Sequence, residues 1–142
     1  MNSKLVLAGL AAGLVCVFAT PSLAVRDKTK IPKICAQAEE RYQKLYGKAS
    51  SEEPFTVVMT YKYTFCPEHI TVKQGTTVRW VNVDKRTSHD VWFNEREADP
   101  KPRLFPEEFL EMTFDLPPGE YPYVCSPHWK SDDMTGTVTV EP

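Results

Sequence analysis

The stretch that decides the architecture is Gly119-Glu120-Tyr121-Pro122-Tyr123-Val124-Cys125-Ser126-Pro127-His128, resumed six positions on by Met134-Thr135-Gly136-Thr137-Val138-Thr139-Val140. Two runs of β-branched and aromatic residues flank a short segment in which Pro127 blocks a continuing strand. The second run alternates valine with threonine, the period of a half-buried strand. Between the runs stand a cysteine, a histidine and a methionine.

Working outward, the same period of two recurs through the chain after Pro54. Strands are expected over Phe55–Tyr63, His69–Lys73, Thr76–Val83, Asp90–Asn94, Phe109–Leu116, Tyr121–Cys125 and Thr135–Val140. Turn residues separate them, as in Lys73-Gln74-Gly75-Thr76 and Pro117-Pro118-Gly119-Glu120. Glu95 to Glu108 is the one long loop. Seven short strands without intervening helical patterns predict an antiparallel, all-β sandwich and argue against a parallel α/β sheet. Met59, Met112, Trp80, Phe93, Phe109, Phe114 and Tyr123 are expected in its core, and His69, at a strand start, on the surface.

Upstream, residues 25–54 have a different character. Ala36, Ala38, Glu39, Glu40, Arg41, Gln43, Lys44 and Leu45 favour a helix, and Gly47 is a natural stop. Cys35, Ala38, Tyr42, Leu45 and Tyr46 fall near one face, so this short helix is expected to pack on the main body. Ser50 to Pro54 reads as a linker. Residues 1–24 read as a secretory signal peptide: Lys4 is the lone charge, an apolar run extends from Leu5 to Ala19, and Ser22-Leu23-Ala24 sets small residues at the cleavage positions. The run is short for a membrane span, which needs about 18 residues, and no stable membrane insertion is expected.

The chain has 142 residues, 17 Lys+Arg against 19 Asp+Glu and a formal charge of −2. That balance, with no dense basic run, argues against nucleic acid as a partner. Export would place the chain in an oxidising compartment, the periplasm by analogy, where an odd number of cysteines is unexpected. Beyond the signal region these are Cys35, Cys66 and Cys125. The simplest partition is a Cys35–Cys66 disulfide and a Cys125 metal thiolate. A free, exported thiol would otherwise oxidise or pair.

The chemistry-bearing set is His89, Cys125, His128 and Met134. Two imidazoles, one thiolate and one thioether are soft donors that select copper, and a His-His-Cys plane with a weak axial Met is an electron-transfer copper site. Zinc is the competing metal, but a thioether with three N/S ligands departs from its closed tetrahedral sites. Taken singly, His89 would read as a satisfied strand-end histidine and Met134 as core. The joint pattern reverses both.

The chain resembles the cupredoxins, small blue-copper proteins of the plastocyanin, amicyanin and pseudoazurin kind, from about Phe55 onward. The likeness is carried by Tyr63 to Asn82, by Ser88-His89, and by the Gly119–His128 and Met134–Val140 segments quoted above. It implies a Greek-key β-sandwich over residues 55–142 holding one copper near one end, with His89, Cys125 and His128 as ligands and Met134 axial. It also implies an electron port at the edge of His128, between Pro127 and Trp129. The sequence departs from relatives in two places. Asp90 stands where Asn is common, which questions the hydrogen bonding between ligand loops, and five residues separate His128 from Met134 where many relatives have four or fewer.

The expected function is therefore single-electron shuttling by a monomeric, exported, non-enzymatic carrier. A self-contained copper reductase or oxidase would need more histidines than the three present. A copper chaperone or storage protein is the alternative. Asp132 and Asp133, within the ligand loop, suit a basic redox partner such as a c-type cytochrome, and a dehydrogenase donor is equally open.

Overall fold

The computed structural model describes residues 26–142. The signal-peptide reading of residues 1–24 lies outside them. After a 3-10 turn at Lys28–Lys30, helix α1 spans Ile31–Tyr46 and is followed by a 3-10 turn at Ser50–Glu52. Strands β1 (Thr56–Tyr61), β2 (Thr64–Cys66), β3 (His69–Lys73), β4 (Thr77–Asn82), β5 (Phe109–Thr113), β6 (Gly119–Val124) and β7 (Thr135–Glu141) follow, with a one-turn helix α2 (Trp129–Asp132) before the last strand. None of the helices among the described residues is long and apolar enough to cross a membrane.

Two sheets face each other, one ordered β2-β1-β4-β5 and the other β3-β7-β6. The expected sandwich with a helical extension is what the chain adopts. Three expectations need correcting. The sheets are mixed, not wholly antiparallel: β1 runs parallel to β4 and β3 parallel to β7, because β2 leaves β1 as a tight hairpin and β3 then crosses to the other sheet. The Phe55–Tyr63 run breaks at Lys62-Tyr63, where both residues have positive φ, 46° and 58°, the pattern of a hairpin turn whose twist suits the flanking strands. The Asp90–Asn94 segment is not a full strand. It makes a single bridge, Trp92 to Val124, while His89 bridges Leu104.

The inner core joins Val58, Phe65, Val78, Trp80, Phe93, Phe114, Tyr123 and Val138, with Met112 packed at its edge. Phe109 does not belong to it. This residue lies on the outer face of the edge strand β5, half exposed, with the Arg79 guanidinium stacked on its ring. His69 is exposed in β3, as expected.

A second core lies on the outer side of β1. Ala38 and Tyr42 of α1 pack with Val57, Met59, Cys66, Val81 and Val83. Strand β1 is therefore buried on both faces over Val57–Thr60. The helix starts with Pro32 in its first turn and ends at Gly47, whose φ of 74° permits the left-handed cap bond from its N–H to the Gln43 carbonyl. The Tyr42 hydroxyl donates to Glu53, and a Cys35–Cys66 disulfide ties α1 to β2. The extension is thus a third layer on the sandwich.

Candidate metal centre

The site forms where two loops meet at one end of the sandwich. His89 sits in the β4–β5 connection, exchanging both backbone hydrogen bonds with Leu104. The Asn82 side chain holds this loop from below, donating to the Thr87 and Leu104 carbonyls at 2.8 and 2.9 Å. Cys125 follows β6 directly, and the chain then turns: His128 and Trp129 N–H groups donate to the Cys125 carbonyl, and Asp132 N–H to that of His128. One helical turn at Trp129–Asp132 and Asp133 in the left-handed region take up the five residues before Met134. Met134 returns fully buried, its carbonyl accepting from Cys125 N–H at 3.0 Å. The longer spacer is therefore absorbed within the loop, and Met134 ends beside Cys125.

The donor atoms converge. One ligand atom each from His89, Cys125 and His128 lie within 4.8 Å of one another. Cys125 Sγ is 3.8 Å from His89 Nδ1 and 3.3 Å from His128 Nδ1. Bonds of about 2.0 Å to nitrogen and 2.3 Å to sulfur at tetrahedral or trigonal angles would separate N from S by roughly 3.5–3.7 Å, so the site is near the size a metal ion needs. Of the three, His89 and Cys125 are buried and His128 is partly open.

A second layer orients these groups. His89 Nε2 faces Asp84 Oδ2 at 2.9 Å. A neutral ring that donates there keeps its Nδ1 lone pair free for a metal, an arrangement that also raises ligand basicity. Asp90 joins the two loops: Ser126 donates both its N–H, at 2.6 Å, and its hydroxyl to the Asp90 carboxylate. The Asp90 N–H points at Cys125 Sγ, 3.5 Å away. Aspartate in place of asparagine therefore preserves the link between loops, as an acceptor for two donors. Asp84 escaped the sequence reading, although its position five residues before His89 in a turn was a usable signal. Tyr63 escaped it too, because the run was read as one strand; its ring stands edge-on to His128 with centroids 4.8 Å apart.

Burial pushes the Cys125 thiol up to about 12, partly offset by the Asp90 N–H. Burial, and then the proximity of His89, lower the His128 imidazole. Without metal, burial thus holds the sulfur as a thiol and makes the His128 ring harder to protonate, and binding a cation yields the thiolate.

The family model for copper-binding proteins of the plastocyanin/azurin family matches residues 55–141. The chain belongs to this family. Copper is accordingly its metal, and the His-Cys-His set is where one copper fits. Among curated relatives, plastocyanin of Synechococcus sp. (strain JA-2-3B'a(2-13)) is 36% identical over 85 residues, covering 52% of this chain and 61% of the relative. The chain thus spans about three-fifths of that plastocyanin's length. Among solved structures, an oxidised amicyanin variant is 30% identical with a TM-score of 0.54, covering 63% of this chain and 85% of the other. A copper-containing nitrite reductase from Thermus scotoductus SA-01 aligns at 29% identity and a TM-score of 0.54, but only 24% of that larger chain is covered. The shared unit is the cupredoxin domain.

Proposed function

We propose that this family member is an exported type 1 copper protein that shuttles single electrons between redox partners, and that His89, Cys125, His128 and Met134 would hold its copper. The observation that carries the reading is the convergence of two imidazole Nδ1 atoms on one buried thiol sulfur. When bound, copper supplies a one-electron Cu(II)/Cu(I) couple.

The chain's own residues keep that exchange cheap. Leu104, Asn82 and Asp84 hold His89, while Asp90 ties the Ser126 backbone to the same loop. Ligands fixed from both loops have little freedom to rearrange when the charge of the site changes. Burial of Cys125 and Met134 excludes water from the sulfur side. His128 is the one ligand near solvent, which makes its edge the route for electrons. Residues 1–24 direct export to the periplasm, 25–54 form the structural extension, and 55–142 form the copper domain.

The test is the visible and EPR spectrum of the protein after Cu(II) addition and removal of excess metal, for wild type and Cys125→Ser. An intense blue thiolate band with narrow copper hyperfine splitting, absent in the variant and bleached reversibly by a mild reductant, is expected. A colourless protein that binds only Cu(I) or passes its metal to an apo acceptor would move the assignment to copper handling.

A further inference from the structure

Two carboxylates stand directly behind the donor atoms. Asp84 Oδ2 lies 2.9 Å from His89 Nε2, across the ring from Nδ1, and also accepts from the Lys62 N–H at 2.9 Å. The Asp90 carboxylate accepts from the Ser126 N–H and hydroxyl, while the Asp90 N–H faces Cys125 Sγ at 3.5 Å. Asp90 is 2% exposed and the Asp84 side chain 13%. Their donors are neutral groups, so both carboxylates keep their charge. Among the described residues neither has a lysine or arginine nitrogen within 4 Å; the ion pairs that lysine and arginine make lie at Arg26, Lys28, Lys30, Lys48, Arg79 and Lys101.

These charges do more than the hydrogen bonds require. An asparagine oxygen at either position could accept from the same N–H groups without bringing a charge into the site. The cations of the neighbouring segments, Lys62, Lys85, Arg86 and Arg103, are exposed, and Arg103 donates to the Ser88 hydroxyl at 2.9 Å. Water and salt screen such surface charges, and buried ones much less. Asp132, in the ligand loop, has the same sign as the buried pair. A divalent ion and one thiolate leave a single positive charge, which two carboxylates more than offset.

We infer that Asp84 and Asp90 set the reduction potential of the site: their charges favour Cu(II) over Cu(I), so the site gives up an electron more readily than the same ligands backed by neutral amides. The inference rests on the electron-carrier reading above. Both are positioning residues, whose carboxylates act through His89 and through the loop of Cys125. For a unit charge roughly 7 Å away, at an effective dielectric of about 20, the preference between a divalent and a monovalent ion changes more than tenfold. A tenfold change is about 59 mV for a one-electron couple. The electron therefore has to come from a donor reducing enough to work against both charges.

The experiment is a spectroelectrochemical titration of the copper-loaded protein, in which one electron from the electrode converts Cu(II) to Cu(I). Wild type is compared with Asp84→Asn, Asp90→Asn and Glu120→Gln; the last removes an exposed charge at the opposite end of β6 from Cys125. Each asparagine variant should favour Cu(I) more than tenfold over wild type, a rise of at least about 59 mV, and keep that rise between 10 and 200 mM NaCl. Glu120→Gln should stay within about twofold of wild type, because distance and water screen its charge. Affinities of the metal-free proteins for redox-inert Zn(II) and for Cu(I), by competition with chelators, separate charge from damage. A lost charge weakens the divalent ion more than the monovalent one, whereas a disordered loop weakens both alike. A shift below about twofold in either asparagine variant, a shift that salt abolishes, or equal losses of Zn(II) and Cu(I) affinity would overturn the inference. Absence of a reversible one-electron couple in wild type would instead defeat the carrier reading, and the Zn(II)-against-Cu(I) comparison would still decide what the two charges do.

Discussion

Gly136→Ala should destabilise this protein more than its size suggests. Gly136 of β7 pairs with Tyr123 of β6, and a Cβ built on it would stand 2.5 Å from Tyr123 Cζ, 2.6 Å from the hydroxyl oxygen and 2.9 Å from Cε2. An ordinary contact requires a retreat of roughly 1 Å, and core overpacking of this kind costs about 1–3 kcal/mol, occasionally more. Tyr123 has little room to retreat: it is fully buried, with ring centroids 4.8 Å from Phe65, 5.4 Å from Phe93 and 5.5 Å from Trp80. We therefore expect the upper part of that range, about 3 kcal/mol, equivalent to a fall in Tm of around 10 °C for a domain of this size. Urea unfolding of the metal-free variant measures it, with an unchanged slope showing that the native state is perturbed and not the denatured one. Tyr123→Leu removes the opposing ring, so its cost and that of Gly136→Ala should combine to less than their sum. A loss under about 0.5 kcal/mol for Gly136→Ala, or strict additivity in the pair, would refute the steric reasoning.

Four further outcomes follow from the same geometry. Replacing Cys35 and Cys66 by serine opens a loop spanning a sequence separation of 31 and should cost about 3–4 kcal/mol in urea unfolding, with amide exchange rising first in α1; an unchanged midpoint would show that the helix is held by packing alone. Asp90→Ala strips the acceptor from both Ser126 donors, so it should lower stability by about 1–3 kcal/mol and speed copper release to a chelator; wild-type release would show that the loops hold together without it. Since burial raises the metal-free Cys125 thiol and lowers the His128 imidazole, copper uptake at pH 7.5 in weak buffer should release close to one proton per metal, and a count of zero would contradict the thiolate ligand. The Tyr42 and Tyr123 hydroxyls and the Cys125 thiol are all raised, chiefly by burial. The unfolded chain ionises them first, so their contribution is complete below about pH 8.5 and lost as pH climbs toward the folded values; the urea midpoint of the metal-free protein should fall above pH 9, and a flat profile would argue that these groups are solvated.

The sequence made the chemistry more legible than the topology. Cys125, His128 and Met134 belong to one loop and His89 to another, and residue type alone restricts what such a set can bind. The strands were legible where one face is wet: Thr135–Glu141 alternates in burial as it alternates in sequence. Legibility failed where alternation carried two meanings. Phe109 looked like core because it is large and apolar, yet it occupies the outer face of an edge strand and is covered by a cation, which no local pattern reveals. The break at Lys62-Tyr63 was hidden because neither residue is Gly, Asn or Asp, the usual marks of a positive-φ turn. Parallel pairing of β1 with β4 and of β3 with β7 depends on which sheet each strand joins, a long-range choice absent from any single run.

The run Thr56-Val57-Val58-Met59-Thr60 contains the clearest unused signal. Three consecutive apolar residues contradict a strand with one solvated face and fit one covered on both. Val58 enters the inner core, while Val57 and Met59 turn to Ala38 and Tyr42 of α1. The helical face that carries Ala38 and Tyr42 and the double-sided strand are thus two halves of one requirement: each exposes apolar surface that only the other covers. The disulfide holds the two together at β2, the strand that leads out of the Lys62-Tyr63 turn. That turn places Tyr63 against His128 and anchors its backbone on Asp84, which in turn holds His89. Packing support from the extension therefore passes through β1 and β2 to both imidazoles, so residues that precede the stretch the family model matches help to hold His89 and His128 in place.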